Sequence, residues 1–279
     1  LMPEPFSQGW VENIRTLAGA EWYDGITINR VQDNYVVQWG DPNYDNPEAK
    51  GEPKALPEGL KVMSDEDYTA SDLLLIPDER GWPRFNYNLG MTFMRNAMIA
   101  STGTQQPSPE FVEALEEALE NPTAPAPKLP EPDYSDRYAP FASLVGGWPV
   151  AASMGGTERS EFWPVHCYGM IGVGRGYSPD TGSGAELYTV IGHAPRHLDR
   201  NIALVGRIIE GMEHLSSLPR GSGALGFYTE EEFDKRTPIL SVRVASDLPE
   251  DEQPLFDYLD FSGTVVDVNG EGVAGANVL

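Results

Sequence analysis

The spacing of apolar residues near the start of the chain predicts an amphipathic helix. Val11, Ile14 and Leu17 recur at intervals of three residues, so their side chains fall on one face of a helix. Ser7 precedes this run and is one of the residue types that most often occupy the N-cap position. We therefore expect a helix that begins just after Ser7 and buries this face.

Residues 23–41 change to the period of a β-strand. Two runs rich in β-branched and aromatic residues flank a turn signal at residues 33–34. Because side chains alternate between the two faces of a strand, Ile26, Ile28 and Arg30 are expected to share one face. The pattern thus predicts an arginine beside an apolar, aromatic surface, which suits a substrate with an apolar ring next to a polar bond. A proline within a peptide chain is such a substrate.

The long segment 42–161 is rich in Pro, Gly, Asn and Asp. Its apolar spacing predicts one helix over 108–120. The prolines between 122 and 132 predict an extended, stiff connector. Aromatic and methionine residues between 82 and 98 indicate that this part packs against the rest of the protein.

Two further strand signals lie in the C-terminal part of the chain. Residues 239–244 are predicted to form a strand. Residues 262–278 alternate around Asn269-Gly270, a strong hairpin signal. This last segment resembles the opening hairpin of carboxypeptidase-regulatory-like β-sandwich modules, which occur on extracytoplasmic proteins, and a bare C-terminal hairpin fits it equally well.

Composition and charge exclude several classes of function. The net charge of −24, from 19 basic and 43 acidic residues, argues against nucleic acid or an anionic membrane surface as a partner. No apolar run reaches the roughly 18 residues that a membrane-spanning helix needs. The lone Cys167 excludes an intrachain disulfide and makes a thiolate zinc site implausible. Pro195 prevents His193 and His197 from sharing one helical face, so we expect neither a metal nor a cofactor.

The order of residues within 23–41 resembles the signature segment of cyclophilin-type peptidyl-prolyl cis-trans isomerases. The positions that match are Tyr23, Asp24, Gly25, Arg30, Val31, Gln38, Gly40 and Asp41. Asn29 stands where the family usually has His, and Gln32 where it has an apolar residue. A second block, 168–220, is similar to the other half of the family's barrel, and residues 166–170 are similar to an acidic bacterial branch.

The resemblance implies a mainly β fold with helices: a closed, cyclophilin-like β-barrel capped by helices and carrying a large insertion. Residues 1–41 and 162–259 would form the barrel, with 42–161 as the insertion packed on it. Residues 260–279 would form a β-hairpin, or the start of a carboxypeptidase-regulatory-like module. Two barrel strands precede the first helix in this family, and we expect them upstream of Leu1.

The same resemblance implies which residues form the site. Arg30 and Gln38 would be the catalytic residues, because the guanidinium can donate to a prolyl nitrogen and the amide can bond the substrate backbone. The residues expected to bind substrate are Tyr35, Val36, Gly176, Glu186, Tyr188, His197 and Leu198. The proline ring would be held by Tyr35, Val36, Tyr188 and Leu198, and the backbone of Gly176 would pair with the peptide. Glu186 stands where the family has Gln, and His197 where many members have Trp.

We therefore expect a peptidyl-prolyl cis-trans isomerase that acts as a folding factor on proline-containing polypeptide clients. The alternative is a non-catalytic cyclophilin-like module that binds a protein partner in a larger cell-envelope assembly. Retention of Arg30 and Gln38 favours the enzyme, whereas the long insertion favours the binding module. No targeting signal is visible, and the C-terminal resemblance leads us to expect a periplasmic or otherwise extracytoplasmic location.

Overall fold

The computed structural model describes residues 1–44, 46–71, 76–77, 83–84, 113, 117, 138–145, 147–153, 161–256, 258–259 and 265–266. The chain divides into two compact units. The first comprises Leu1–Thr69 and Val165–Phe256, and the second comprises Ala70–Pro164 and Asp257–Leu279. Residues 42–69, which the sequence grouped with the insertion, thus belong to the unit that carries the signature segment.

The described elements are mostly strands with few helices. The helices are α1 (Gln8–Gly19) and α2 (Met212–Ser216). The strands are β1 (Thr27–Val31), β2 (Val36–Gly40), β3 (Ala70–Ser71), β4 (Ile76–Pro77), β5 (Pro83–Arg84), β6 (Phe141–Val145), β7 (Trp148–Ser153), β8 (Glu161–Pro164), β9 (Met170–Val173), β10 (Leu187–Val190), β11 (Leu204–Arg207), β12 (Tyr258–Leu259) and β13 (Val265–Val266). Short 3₁₀ helices lie at Asp65–Tyr68, Arg196–Leu198, Ala224–Gly226, Glu230–Lys235, Ala245–Asp247 and Glu250–Glu252.

The first unit is built on a five-stranded antiparallel sheet in the order β1-β2-β10-β9-β11. The closed barrel expected from the sequence is therefore not what the described residues form, because β1 and β11 are two open edges of one sheet. Backbone outside the strands covers both edges. The N–H of Met2 donates to the carbonyl of Val205 at 2.7 Å, and the segment 221–239 hydrogen-bonds along β1. These contacts satisfy polar groups that an open edge would leave exposed.

A register shift in β1 changes which residues share a face. Ile28 lies opposite Trp39, but Arg30 lies opposite Gln38, so Asn29 is an extra residue in the strand. Such a bulge interrupts the alternation of side chains. Ile28 accordingly packs in an apolar cluster with Val31, while Arg30 lines a groove. The prediction that Ile26, Ile28 and Arg30 share one face is therefore wrong.

Helix α1 packs its apolar face on the sheet as predicted. Trp10, Ile14 and Leu17 are buried in one core cluster with Val173 and Val205 of the sheet. Ser7 occupies the N-cap position with a left-handed backbone (φ 55°) and makes no side-chain capping bond. The helix is thus held by burial of its apolar face rather than by its cap.

Residues 41–69 form a strap that is hydrogen-bonded along its length to the rest of the first unit. The side chain of Asn13 donates to the carbonyl of Lys61 at 2.9 Å and accepts from its N–H at 2.7 Å. The indole of Trp22 donates to the carbonyl of Ala55, also at 2.9 Å. The strap is therefore tied to the rest of the first unit at Ala55 and Lys61.

The second unit contains a four-stranded antiparallel sheet in the order β3-β8-β7-β6, together with the pairs β4-β5 and β12-β13. Its sheet buries Val150, Ala151, Ala152, Phe162 and Trp163. Strands β6 and β7 form a hairpin in which Val145 pairs with Trp148. Within 42–161 the sequence pattern predicted a helix over 108–120 but not this sheet.

Several sequence predictions fall partly or wholly outside the described residues. Of the helix predicted over 108–120, residues 113 and 117 are described and both are helical. The connector at 122–132, most of 82–98 and the turn at 269–270 lie outside. The strand predicted over 239–244 is wrong, since Ile239 exchanges two backbone hydrogen bonds with neighbours of β1 but the segment forms no regular strand. Among described helices, none is long and apolar enough to cross a membrane.

Candidate active site

A groove of about 760 Å³ runs across the five-stranded sheet of the first unit. Strands β1, β2 and β10 supply its floor, and four connecting segments, within 44–49, 174–177, 198–202 and 224–227, supply its walls. Its lining is Arg30, Tyr35, Val36, Gln38, Tyr44, Asn46, Pro47, Ala49, Gly174, Arg175, Gly176, Tyr177, Glu186, Tyr188, Leu198, Ile202, Ala224, Leu225 and Phe227. Of the nine residues predicted for the site, the structure brings all but His197 into this lining.

Three hydrogen bonds hold the guanidinium of Arg30 in this groove. Nη1 donates to Oε1 of Gln38 at 3.1 Å, and Nε donates to the carbonyl of Leu225 at 2.7 Å. Nη2 donates to Oε1 of Gln32. The ring centroids of Tyr35 and Phe227 each lie 5.6 Å from the guanidinium carbon.

This arrangement fixes the cation without exhausting its donors. A guanidinium carries two N–H groups on each terminal nitrogen, and the bonds to Gln38 and Gln32 use one on each. Burial lowers the pKa of Arg30 below its usual value, while Tyr35 and Tyr188 act in the opposite direction. An arginine stays charged at neutral pH even after such a shift. The remaining N–H groups can therefore offer charged donors to a bound ligand.

Gln38 is oriented by the same contact. It is 9% exposed, and its side-chain oxygen is occupied by Arg30. An amide has an oxygen that accepts and a nitrogen that donates. With the oxygen turned to Arg30, the nitrogen of Gln38 is the atom that can meet a substrate carbonyl.

An apolar pocket lies next to Arg30. Val36, Tyr188, Val190 and Leu198 form a buried cluster, against which Tyr35 and Ile202 pack. Tyr35, Val36, Tyr188 and Leu198 were predicted to hold a proline ring, and the structure places them together. Val190 and Ile202 complete the cluster from β10 and from the turn after Leu198.

His197 and Gly176 differ from expectation in their surroundings. His197 is exposed and stacks on Tyr35, with ring centroids 6.2 Å apart and an interplanar angle of 11°. It therefore supports a wall of the pocket rather than lining it. The N–H of Gly176 already donates to Asp180 at 2.7 Å, and its carbonyl accepts from Arg175 at 2.8 Å. A peptide pairing with Gly176 would meet a carbonyl oxygen that already has one partner.

Glu186 lies low in the groove, only 5% exposed. A β-carbon added at Gly40 would overlap its carboxylate, and one at Gly174 would lie 2.8 Å from its own β-carbon. Gly40 at the end of β2 and Gly174 just after β9 therefore make the space that Glu186 occupies. The carboxylate adds a negative charge to a groove that otherwise carries Arg30 and Arg175.

A buried hydrogen-bonded network behind the pocket was missed by sequence reasoning. Nε2 of His166 lies 2.8 Å from the hydroxyl of Tyr188, and Nδ1 lies 2.9 Å from Oδ1 of Asp199. Oδ2 of Asp199 accepts from Nε of Arg196 at 2.6 Å. The phenol lies directly over Gly172, where a β-carbon would overlap it. The available sequence signal was a histidine beside an apolar strand, which is compatible with many roles.

Two walls of the groove were also missed. One wall comes from the strap and the other from the 3₁₀ segment after β11, with the residues Tyr44, Asn46, Pro47 and Ala49, and Ala224, Leu225 and Phe227. Composition assigned 42–49 to an insertion and gave no reason to place it at the site. Among the described residues, no group of three or more His, Cys, Asp and Glu side chains could hold a metal ion.

Comparisons with known proteins point in one direction. A family model described as cyclophilin type peptidyl-prolyl cis-trans isomerase/CLD matches residues 9–244. Among solved structures, the chain is similar to the cyclophilin AquaCyp293 from Hirschia baltica, with a TM-score of 0.53 and 15% sequence identity. That alignment covers 96% of this chain and 74% of the other. No curated protein gives a significant match. At such low identity the structural similarity bears on the fold alone.

Proposed function

The chain belongs to the cyclophilin-type peptidyl-prolyl cis-trans isomerase family, and from this premise we propose that it catalyses rotation about Xaa-Pro bonds in polypeptide clients. The observation that carries the proposal is a fixed cation beside an apolar pocket. Arg30 is hydrogen-bonded to Gln38 and adjoins the cluster that includes Tyr188 and Leu198.

The reaction needs no nucleophile and no metal. Partial double-bond character of the C–N bond gives rotation a barrier of about 20 kcal/mol. When the bond twists, conjugation is lost and the prolyl nitrogen gains a lone pair that can accept a hydrogen bond. A donor aimed at that nitrogen stabilises the twisted state more than the planar states, which is the requirement for catalysis.

Arg30 supplies this donor in the proposed mechanism. One remaining N–H of the guanidinium would donate to the prolyl nitrogen, while the amide nitrogen of Gln38 donates to a substrate carbonyl. A charge-assisted hydrogen bond contributes about 1.5–3 kcal/mol. A millionfold acceleration needs about 8 kcal/mol, so this single bond is not sufficient.

The apolar pocket supplies a second part of the stabilisation. Burial of a proline ring against Val36, Tyr188 and Leu198 removes water from the reacting bond, where water would stabilise the planar, more polar amide. It also anchors one side of the bond so that the other side can rotate. Fixed donors in a site that excludes water are worth more than donors in solution.

A proline-isomerisation assay on a tetrapeptide tests the proposal. Arg30→Ala should lower kcat/KM by at least about tenfold, or about 1.4 kcal/mol. Arg15→Ala is the matched control, because Arg15 is exposed on α1 and its substitution also removes one positive charge. An Arg30→Ala protein that is folded and as active as Arg15→Ala would refute the assignment. Wild-type protein that binds the peptide without accelerating isomerisation would instead identify a non-catalytic binding module.

We further propose that the clients are met outside the cytoplasm. The proposal rests on the resemblance of residues 262–278 to modules of extracytoplasmic proteins. Fractionation of cells that carry the full-length protein tests it directly. Recovery of the protein with cytoplasmic markers would contradict it.

A further inference from the structure

We propose that His166 and Asp199 are positioning residues of the proline pocket, which fix the phenol of Tyr188 and the turn that carries Leu198. The inference rests on the proposed isomerase function, because the pocket is the one assigned to the proline ring. Neither His166 nor Asp199 lines the groove. Their influence on substrate would therefore be transmitted through Tyr188 and Leu198, which do.

The network joins three parts of the first unit through one carboxylate. Oδ1 of Asp199 accepts from both the backbone N–H and Nδ1 of His166, at 3.0 Å and 2.9 Å. Oδ2 accepts from Arg196 at 2.6 Å, which closes the 3₁₀ turn that ends at Leu198. On the other side, Nε2 of His166 meets the Tyr188 hydroxyl on β10 at 2.8 Å.

Each proton in this network has one consistent position. Nδ1 of His166 must carry a hydrogen to donate to Asp199, so in the neutral ring Nε2 is an acceptor. The Tyr188 hydroxyl therefore donates to Nε2. Burial lowers the pKa of His166 despite the opposing effect of its hydrogen bond to Asp199, and burial also raises the pKa of Tyr188. Both shifts favour this neutral, singly protonated arrangement.

The burial of these groups explains why they position rather than react. His166 is 0% exposed, and Tyr188 and Asp199 are 5% and 9% exposed. Because the only hydroxyl proton of Tyr188 is committed to His166, the ring presents its apolar face to the groove. The ring cannot swing away without leaving Nε2 of His166 buried without a donor. The pocket floor and the wall at Leu198 thus share a single buried anchor.

Two substitutions break the same bond from opposite sides. Tyr188→Phe keeps the ring and removes the hydroxyl. His166→Asn keeps a donor close to the position of Nδ1, so it can still bond Asp199, but it is too short to reach Tyr188. His214→Asn is the matched control, because His214 is exposed on α2 away from the groove.

Kinetics and peptide affinity of these variants test the inference. At a temperature where circular dichroism shows all variants folded, Tyr188→Phe and His166→Asn should each lower kcat/KM by about fivefold, and the double variant should lose no more than either single one. We do not expect the double variant to recover the kcat/KM that each single variant loses. Additive losses, or single-variant activity within about twofold of the His214→Asn control, would overturn the inference.

Nitrogen NMR of the histidine ring gives a readout independent of catalysis. In the wild type we expect the tautomer protonated at Nδ1, with Nε2 hydrogen-bonded, and a changed Nε2 resonance in Tyr188→Phe. A ring protonated at Nε2 would refute the network. If wild-type protein has no isomerase activity, the proposed function fails, and a weaker affinity of Tyr188→Phe for an Xaa-Pro tetrapeptide would still support the positioning role. Equal affinities would then refute it.

Discussion

The guanidinium of Arg30 and the side-chain amide of Gln38 are direct neighbours across β1 and β2, with Nη1 and Oε1 3.1 Å apart. The pairing register of the hairpin creates this relationship, because the bulge at Asn29 brings Arg30 opposite Gln38. One contact thereby fixes the cation and also turns the amide nitrogen towards the groove. A substitution at Gln38 should therefore lower activity more than a substitution at another residue that contacts Arg30.

Gln38→Glu should lower kcat/KM by at least about tenfold. The carboxylate would pair with Arg30 as a stronger acceptor, and the donor intended for a substrate carbonyl would be lost. Gln32→Glu is the matched control, because Gln32 also accepts from Arg30 but does not line the groove. We expect it to cost less than about threefold. Equal losses in a tetrapeptide assay would contradict the substrate role of Gln38.

The sequence could predict that Arg30 and Gln38 lie on adjacent strands. It could not predict on which face of the sheet each side chain lies. A short turn signal between two runs of strand-forming residues sets an approximate register. The bulge at Asn29 depends on the hydrogen bond from its amide to the Gly40 carbonyl, at 3.1 Å, and on the backbone of residues 227–228 beyond β1. Contacts between segments that are distant in the chain leave no pattern in the local sequence.

Other parts of the site could not be predicted from the sequence for the same reason. His166 and Asp199 are 33 positions apart on separate loops, so no spacing rule joins them. The strap wall around Tyr44 comes from a segment whose composition indicates only turns. In contrast, the β6-β7 hairpin of the second unit had a readable signal, since Gly146-Gly147 separates two strand-like runs. The prediction of a closed barrel rested on the family resemblance and not on any pattern in this chain.

Gly172→Ala should destabilise the protein by about 1–3 kcal/mol, because the new β-carbon would overlap the Tyr188 phenol, which is buried and cannot move aside. Gly19→Ala is the control, since nothing lies within 4 Å of a β-carbon there. At the end of α1, alanine should be neutral or stabilising by up to about 1 kcal/mol. Urea unfolding followed by tryptophan fluorescence measures both. Similar midpoints for the two variants would contradict the close packing.

Glu186→Gln should change peptide preference more than overall rate. A carboxylate in the groove favours peptides with a basic residue near the proline and disfavours those with an acidic one, through charge attraction in a partly dehydrated site. The ratio of kcat/KM for Lys-containing over Glu-containing tetrapeptides should fall by about threefold or more in the variant. Glu12→Gln, an exposed change on α1, should leave the ratio unaltered. An unchanged ratio in Glu186→Gln would show that its charge does not reach the substrate.

The free energy of unfolding should decrease as the pH falls below about 6.5. Burial lowers the pKa of His166, so the folded ring stays neutral where the exposed ring of the unfolded chain binds a proton. The unfolded state then binds more protons, which costs up to about 1.4 kcal/mol per pH unit. Asp199 also has a lowered pKa, from hydrogen bonds to His166 and Arg196 that outweigh burial, but its effect lies at more acidic pH. His166→Asn should flatten the slope between about pH 7 and pH 5.5 in urea unfolding, and His214→Asn should not. Parallel slopes for wild type and His166→Asn would contradict a buried neutral histidine.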